Sequence, residues 1–85
     1  MRKSVYSPES ALLARAVSEA RKLAGIHQAD LADRLGMDQT TISNIERGQR
    51  RLDVFEFYLI MREIQGDPIA VFADLVRKWD QMRGV

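Results

Sequence analysis

The chain has no cysteine and a single histidine, His27. Without cysteine there are no disulfides and no thiol chemistry, a composition compatible with a reducing cytoplasm. A lone histidine without suitable partners close in sequence makes no metal site, so no metal is expected. Proline occurs twice and glycine five times, both at apparent segment boundaries. No apolar run approaches the roughly 20 residues that span a bilayer, and the N-terminus carries no hydrophobic stretch of the secretory kind. The expectation is a soluble, cytoplasmic protein with no membrane partner. A strong charge excess is missing too: 13 Lys and Arg stand against 12 Asp and Glu, a formal net charge of +1. There is no glycine-rich phosphate loop. Eighty-five residues bury a modest core, too small to desolvate scattered carboxylates, so no enzyme, cofactor or small-molecule effector is expected. One domain spanning residues 1–85 is the expectation, with no room for an appended effector domain.

What is present is helical. Aliphatic residues and alanine dominate and recur at three- and four-residue spacing, which predicts an all-α fold, a compact five-helix bundle. Ser7-Pro8-Glu9 reads as a helix start, with Ser7 as cap and Pro8 in the first turn. The first helix is predicted from Pro8 to about Ala24, burying Leu13, Val17, Ala20 and Ala24, with Gly25 ending it. Asp53 and Glu56 have capping-box spacing ahead of a fourth helix, which buries Phe55, Leu59, Ile60 and Ile64 and stops at Gly66. Asp67-Pro68 opens a fifth, over about 68–83, whose apolar stripe is Phe72, Leu75, Val76, Trp79 and Met82.

The most informative stretch is His27 to Gly48, HQADLADRLGMDQTTISNIERG. Leu31, Ala32 and Leu35 give one buried stripe on a short second helix. Gly36 can take the left-handed conformation that ends it. Asp38 restarts the chain as a third helix, its carboxylate placed to accept from the free amides of the next turn. Ile42 and Ile45 face inward, and Ala32 is small enough for two helices to cross closely. The opposite face of the third helix carries Gln39, Thr40, Ser43, Asn44 and Arg47. Gln and Asn can pair with adenine in the major groove, and Thr can meet base edges or the thymine methyl. Arg47, Gln49, Arg50 and Arg51 follow where phosphates would lie if the helix entered a groove. The plainer alternative is a solvated helix face, although this one lacks the alternating Lys and Glu typical of such faces.

The segment resembles the helix-turn-helix of Cro and phage repressors, in the class known as the Xre family. The resemblance rests on Gln28, Leu31, Ala32, Gly36, Ile42, Ile45 and the Ile-Glu-Arg-Gly ending at Gly48, and continues through Arg50-Arg51-Leu52-Asp53 and Glu56-Phe57. It implies a phage-repressor type of fold with helices 2 and 3 as the helix-turn-helix. It also implies that Gln39, Thr40 and Asn44 meet base edges of double-stranded DNA, that Gln28 touches a phosphate, and that Ser43 and Arg47 make phosphate or edge contacts; with Arg50 and Arg51 these last three are expected to be the phosphate-contacting residues. Arg21 and Glu46 resemble a family pair tying helix 1 to the end of the recognition helix, and with Gly36 they are expected to support the motif. The alternative for the pair is two exposed, unlinked charges. One departure is His27, where family members commonly carry Ser or Thr as a cap. An exposed loop histidine is the plain reading, contact with a DNA backbone the other.

Charge distribution leans the same way. Residues 1–51 hold nine Lys and Arg against six Asp and Glu, leaving +3; residues 52–85 hold four against six, leaving −2. So modest an excess suggests that two copies act together. Trp79 lies near the chain end, and the stripe of Phe72, Leu75, Val76, Trp79 and Met82 is read as a homodimer interface. The competing reading folds Trp79 back onto helix 1. The functional expectation is a bacterial or phage-encoded, nucleoid-associated regulator of transcription that binds a palindromic operator, repression leading and activation left open. The alternative is a protein-interaction module of the same fold, such as an antitoxin or bridging factor.

Overall fold

Helix α1 (Pro8–Leu23) begins at Ser7, whose hydroxyl accepts from the Ser10 amide at 3.2 Å, with Pro8 in the first turn. The computed structural model describes residues 7–84, so residues 1–6 and 85 of the expected domain lie outside the described residues. Helix α2 (Gln28–Leu35) ends on Gly36 at φ +68°, and the Met37 amide donates back to the Ala32 carbonyl at 2.9 Å. A left-handed residue here lets the chain turn within three residues into α3 (Gln39–Glu46). Helix α4 (Val54–Glu63) starts in the predicted capping box: the Glu56 amide donates to Asp53 at 2.7 Å and the Asp53 amide to Glu56 at 3.1 Å. Asp67 accepts from the Ile69 and Ala70 amides to open α5 (Pro68–Arg83). Among the described residues there is no strand.

The expected cap at α3 is absent. Asp38 is exposed and its carboxylate makes no hydrogen bond to the helix; the Thr41 and Ile42 amides donate to its backbone carbonyl instead. A solvated carboxylate still suits the positive end of the helix dipole. The restart is secured by packing, since Ile42 and Ile45 are each only 1% exposed. They face a core that joins Val17 of α1, Leu31 and Ala32 of α2, and Phe57, Ile60, Met61 and Ile64 of α4. Each Val, Leu, Ile, Phe or Met side chain among them, once buried, contributes about 1.5–3 kcal/mol. Helix α5 lies against α1 and α4.

Three apolar assignments change. In α4 the buried stripe is Phe57, Ile60, Met61 and Ile64, whereas Phe55 is 65% exposed and Leu59 half-buried. The run Val54 to Met61 is apolar at nearly every position, so spacing alone does not choose its phase; packing against the core of α1, α2 and α3 does. Ala24 is exposed because it follows the last helical residue of α1. In α5 only Leu75 is buried, inside the subunit, and the Trp79 indole folds back to donate to the Glu9 carbonyl at 3.0 Å. Phe72 stands edge-on to Trp79, with ring centroids 6.1 Å apart, and stays partly exposed with Val76 and Met82.

Helix α4 also ends earlier than expected, at Glu63, and the left-handed residue is Gln65 at φ +58°. Gly66 donates to the Met61 carbonyl at 2.8 Å, and a Cβ there would come within 2.6 Å of the Met61 side chain, so the glycine serves close approach. A non-glycine residue in the left-handed region is strained by about 1–2 kcal/mol. Glycine at the position removes that strain but loses more chain entropy on folding. Gln65→Gly is expected to stabilise the domain by about 0.5–1 kcal/mol, raising the melting temperature by a few degrees; thermal unfolding that shows a decrease would contradict this account.

Candidate nucleic-acid interface

Helix α3 is two turns long, and burial of Ile42 and Ile45 fixes which side faces out. Gln39, Thr40 and Arg47 are exposed, and Ser43 and Asn44 are half-buried beside them. The expected residues therefore share one accessible ridge. Within it, Arg47 donates through one terminal guanidinium nitrogen to the Asn44 Oδ1 at 2.7 Å. This contact was not anticipated from sequence, although the i,i+3 spacing permits it.

The ridge is held from behind by Glu46. Its carboxylate accepts from Arg21 Nε at 2.6 Å, Arg21 Nη2 at 2.9 Å and Gln28 Nε2 at 2.9 Å, while Arg21 Nη1 donates to the Ile26 carbonyl at 2.7 Å. The two charged side chains are 9% and 4% exposed. Three helices thus converge on one carboxylate: α1 through Arg21, α2 through its first residue, and α3 through Glu46. Burial pushes the Glu46 carboxyl upward, but the hydrogen bonds from Arg21 and Gln28 and the Arg21 charge outweigh it and hold the group below its usual range. The Glu46 hydrogen bond raises Arg21 above its ordinary value against the opposing effect of burial. The pair is thus linked and buried, and Gln28 braces the helices.

Beyond α3 the basic residues are less open than the sequence implied. Arg50 is exposed, yet its guanidinium forks onto Glu56 at 3.1 and 2.9 Å and also donates to the Arg51 carbonyl at 2.9 Å. The hydrogen bonds from Arg50, only partly offset by burial, hold the Glu56 carboxyl below its usual range. The link runs from the loop after α3 into the capping box of α4, a connection no spacing rule in the sequence indicates. Arg51 and His27 are exposed, and His27 makes no side-chain hydrogen bond to α2. Among the described residues no three His, Cys, Asp or Glu side chains gather as a metal would need, and no helix is long and apolar enough to cross a membrane.

A helix-turn-helix family model matches residues 17–69, more than half of the chain. An XRE-family like protein from Pseudomonas syringae pv. tomato is 41% identical over 82% of this chain and 85% of its own, with a TM-score of 0.76. The chain belongs to the XRE family of helix-turn-helix proteins. The XRE-family assignment makes it a DNA-binding protein of transcription regulation. It is also similar to the restriction-modification controller protein C.Esp1396I, solved as a tetramer in complex with its natural 35 base-pair operator, at 30% identity over 84% of this chain and 93% of that one, TM-score 0.73. The controller protein C.AhdI from Aeromonas hydrophila shares the fold at 23% identity, covering 72% and 92% of the two chains with a TM-score of 0.65. No curated protein sequence matches.

Removing the charge at Glu46 leaves Arg21 buried without a counter-ion, a defect that costs about 3 kcal/mol or more. Because the folded-state pKa lies below the unfolded one, the carboxylate's stabilisation is fully present above the unfolded value near about 4.3 and is lost as pH falls through the folded value. Glu46→Gln is therefore expected to lose about 3 kcal/mol at pH 7 in urea unfolding, with the gap to the parent protein narrowing in strong acid. A gap below about 1 kcal/mol, the range of a surface pair, would contradict the assignment.

Proposed function

We propose that the chain is a sequence-specific regulator that acts as a repressor, setting α3 into the major groove of a palindromic operator as a homodimer. The observation that carries this reading is the outward ridge of Gln39, Thr40 and Asn44 on a helix whose back is fastened by Glu46. In this reading Gln39, Thr40 and Asn44 meet base edges. Ser43, Arg51 and the second amide hydrogen of Gln28 face phosphates, and Arg50 joins them by sharing its guanidinium between Glu56 and the backbone. Occupation of a promoter would exclude polymerase, and one domain without catalytic activity suffices for that.

Dimerisation is supported by apolar surface that keeps Phe72, Val76 and Met82 of the stripe expected from sequence and extends onto α4. Leu75 is used up inside the subunit and Trp79 is bonded to α1. What stays open is a face shared by α4 and α5: Val54 and Ile69 are each 80% exposed, Phe72 45% and Tyr58 43%, with Val76 and Met82 further along α5. A cluster of this kind favours burial against another chain. That C.Esp1396I, at 30% identity, sits on its operator as a tetramer supports more than one copy of this chain acting together on DNA.

Selection from a random DNA pool tests the proposal. The parent protein is expected to enrich an inverted repeat with half-site centres about 34 Å apart, one helical turn. Ile69→Asp, which places a charge on the apolar face, is expected to recover single half-sites with weaker binding. A pool with no enriched sequence would overturn the reading.

A further inference from the structure

The contact between Arg47 and Asn44 bears on which base this surface reads. An asparagine that reads adenine does so with both ends of its amide: Nδ2 donates to the adenine N7 and Oδ1 accepts from the adenine amino group. Here Oδ1 already accepts a charge-assisted hydrogen bond of 2.7 Å from Arg47. The second lone pair of that oxygen lies beside a guanidinium, so an adenine amino group brought to it would meet another donor, and a positive one. The donors that the pair does not use within itself are the two Nδ2 hydrogens of Asn44 and the guanidinium hydrogens of Arg47 not spent on Oδ1. Among the four bases, guanine presents two acceptors to the major groove, N7 and O6, with no donor between them.

We infer that Asn44 and Arg47 act as one composite donor that selects guanine and disfavours adenine, which moves Arg47 from the phosphate set to the residues that determine specificity. The inference rests on the reading of α3 as the groove-entering helix. The register supports it. Asn44 is half-buried, so its amide is held near the helix surface, and Arg47, one turn on and exposed, can arch over it without leaving the ridge. The neighbouring acids do not compete for Arg47, since Glu46 is occupied by Arg21 and Gln28, and Glu56 by Arg50.

Three proteins passed through the same random DNA selection test this: the parent, Asn44→Ala and Arg47→Met, the last keeping side-chain length while removing every donor. Arg47 is exposed, and melting temperatures within a few degrees of the parent establish that the variants fold. The parent is expected to favour guanine about fivefold or more at one position of each half-site. Asn44→Ala is expected to flatten that position. Arg47→Met, which frees Oδ1, is expected to shift it towards adenine. The inference is overturned if the position flattened by Asn44→Ala is adenine in the parent pool, or if Arg47→Met weakens binding to all sequences alike and leaves the preferred bases unchanged. The latter result would mark Arg47 as a phosphate contact and leave the reading of α3 intact. If neither variant altered any position although the parent enriched a site, the reading of α3 itself would fall together with the inference.

Discussion

Three of the five helices among the described residues meet at the Glu46 carboxylate, where Arg21 and Gln28 supply three hydrogen bonds between 2.6 and 2.9 Å from two other helices. Helices α2 and α3 have eight residues each, too short to persist alone in water. Their helical state and the angle between them come from tertiary contacts. Leu31, Ala32, Ile42 and Ile45 supply the apolar part of those contacts, which is strong but adaptable. The carboxylate supplies the directional part, since a bidentate guanidinium and an amide fix position as well as proximity. Hydrophobic burial thus holds the corner together, and the buried polar cluster determines how the outer face of α3 is presented.

The same interaction explains why a nearly neutral chain can belong to a DNA-binding family. Several of its charges serve the fold: Arg21 with Glu46, Arg50 with Glu56, and Asp74 with Arg77 and Lys78. Net charge therefore understates how the recognition half is arranged. In the proposed reading, discrimination falls to the amides, hydroxyls and Arg47 guanidinium of α3, placed by a rigid scaffold.

The bundle and its helix-turn-helix were legible because their punctuation is local. Ser7, Asp53 with Glu56, Asp67-Pro68 and Gly36 each act within a few residues of themselves, and the alternation of Ile42 and Ile45 with the polar ridge is a matter of helical period. What was not legible depends on distance or on ambiguity of phase. The run Val54 to Met61 offers apolar residues to every side, so the inward choice of Phe57 over Phe55 is made by the completed core. The fold-back of Trp79 onto Glu9 spans 70 residues, and the fork of Arg50 onto Glu56 joins a loop to a cap. The left-handed residue after α4 is Gln65, and Gly66 sits close beside the Met61 side chain. In the recognition segment, sequence placed the ridge correctly but left open what its side chains do to one another, and the hydrogen bond between Arg47 and Asn44 is of that kind.

The central claim, that a buried carboxylate fastens α3 so that its polar ridge is the surface offered to DNA, is tested most directly by following backbone amide resonances during titration with a DNA duplex carrying a selected site. The account predicts that the largest changes fall between Gln39 and Arg51 and at Gln28, while the Arg21 side-chain resonances keep the signature of the bond to Glu46. Changes concentrated on the apolar face of α4 and α5, with α3 unmoved, would contradict it.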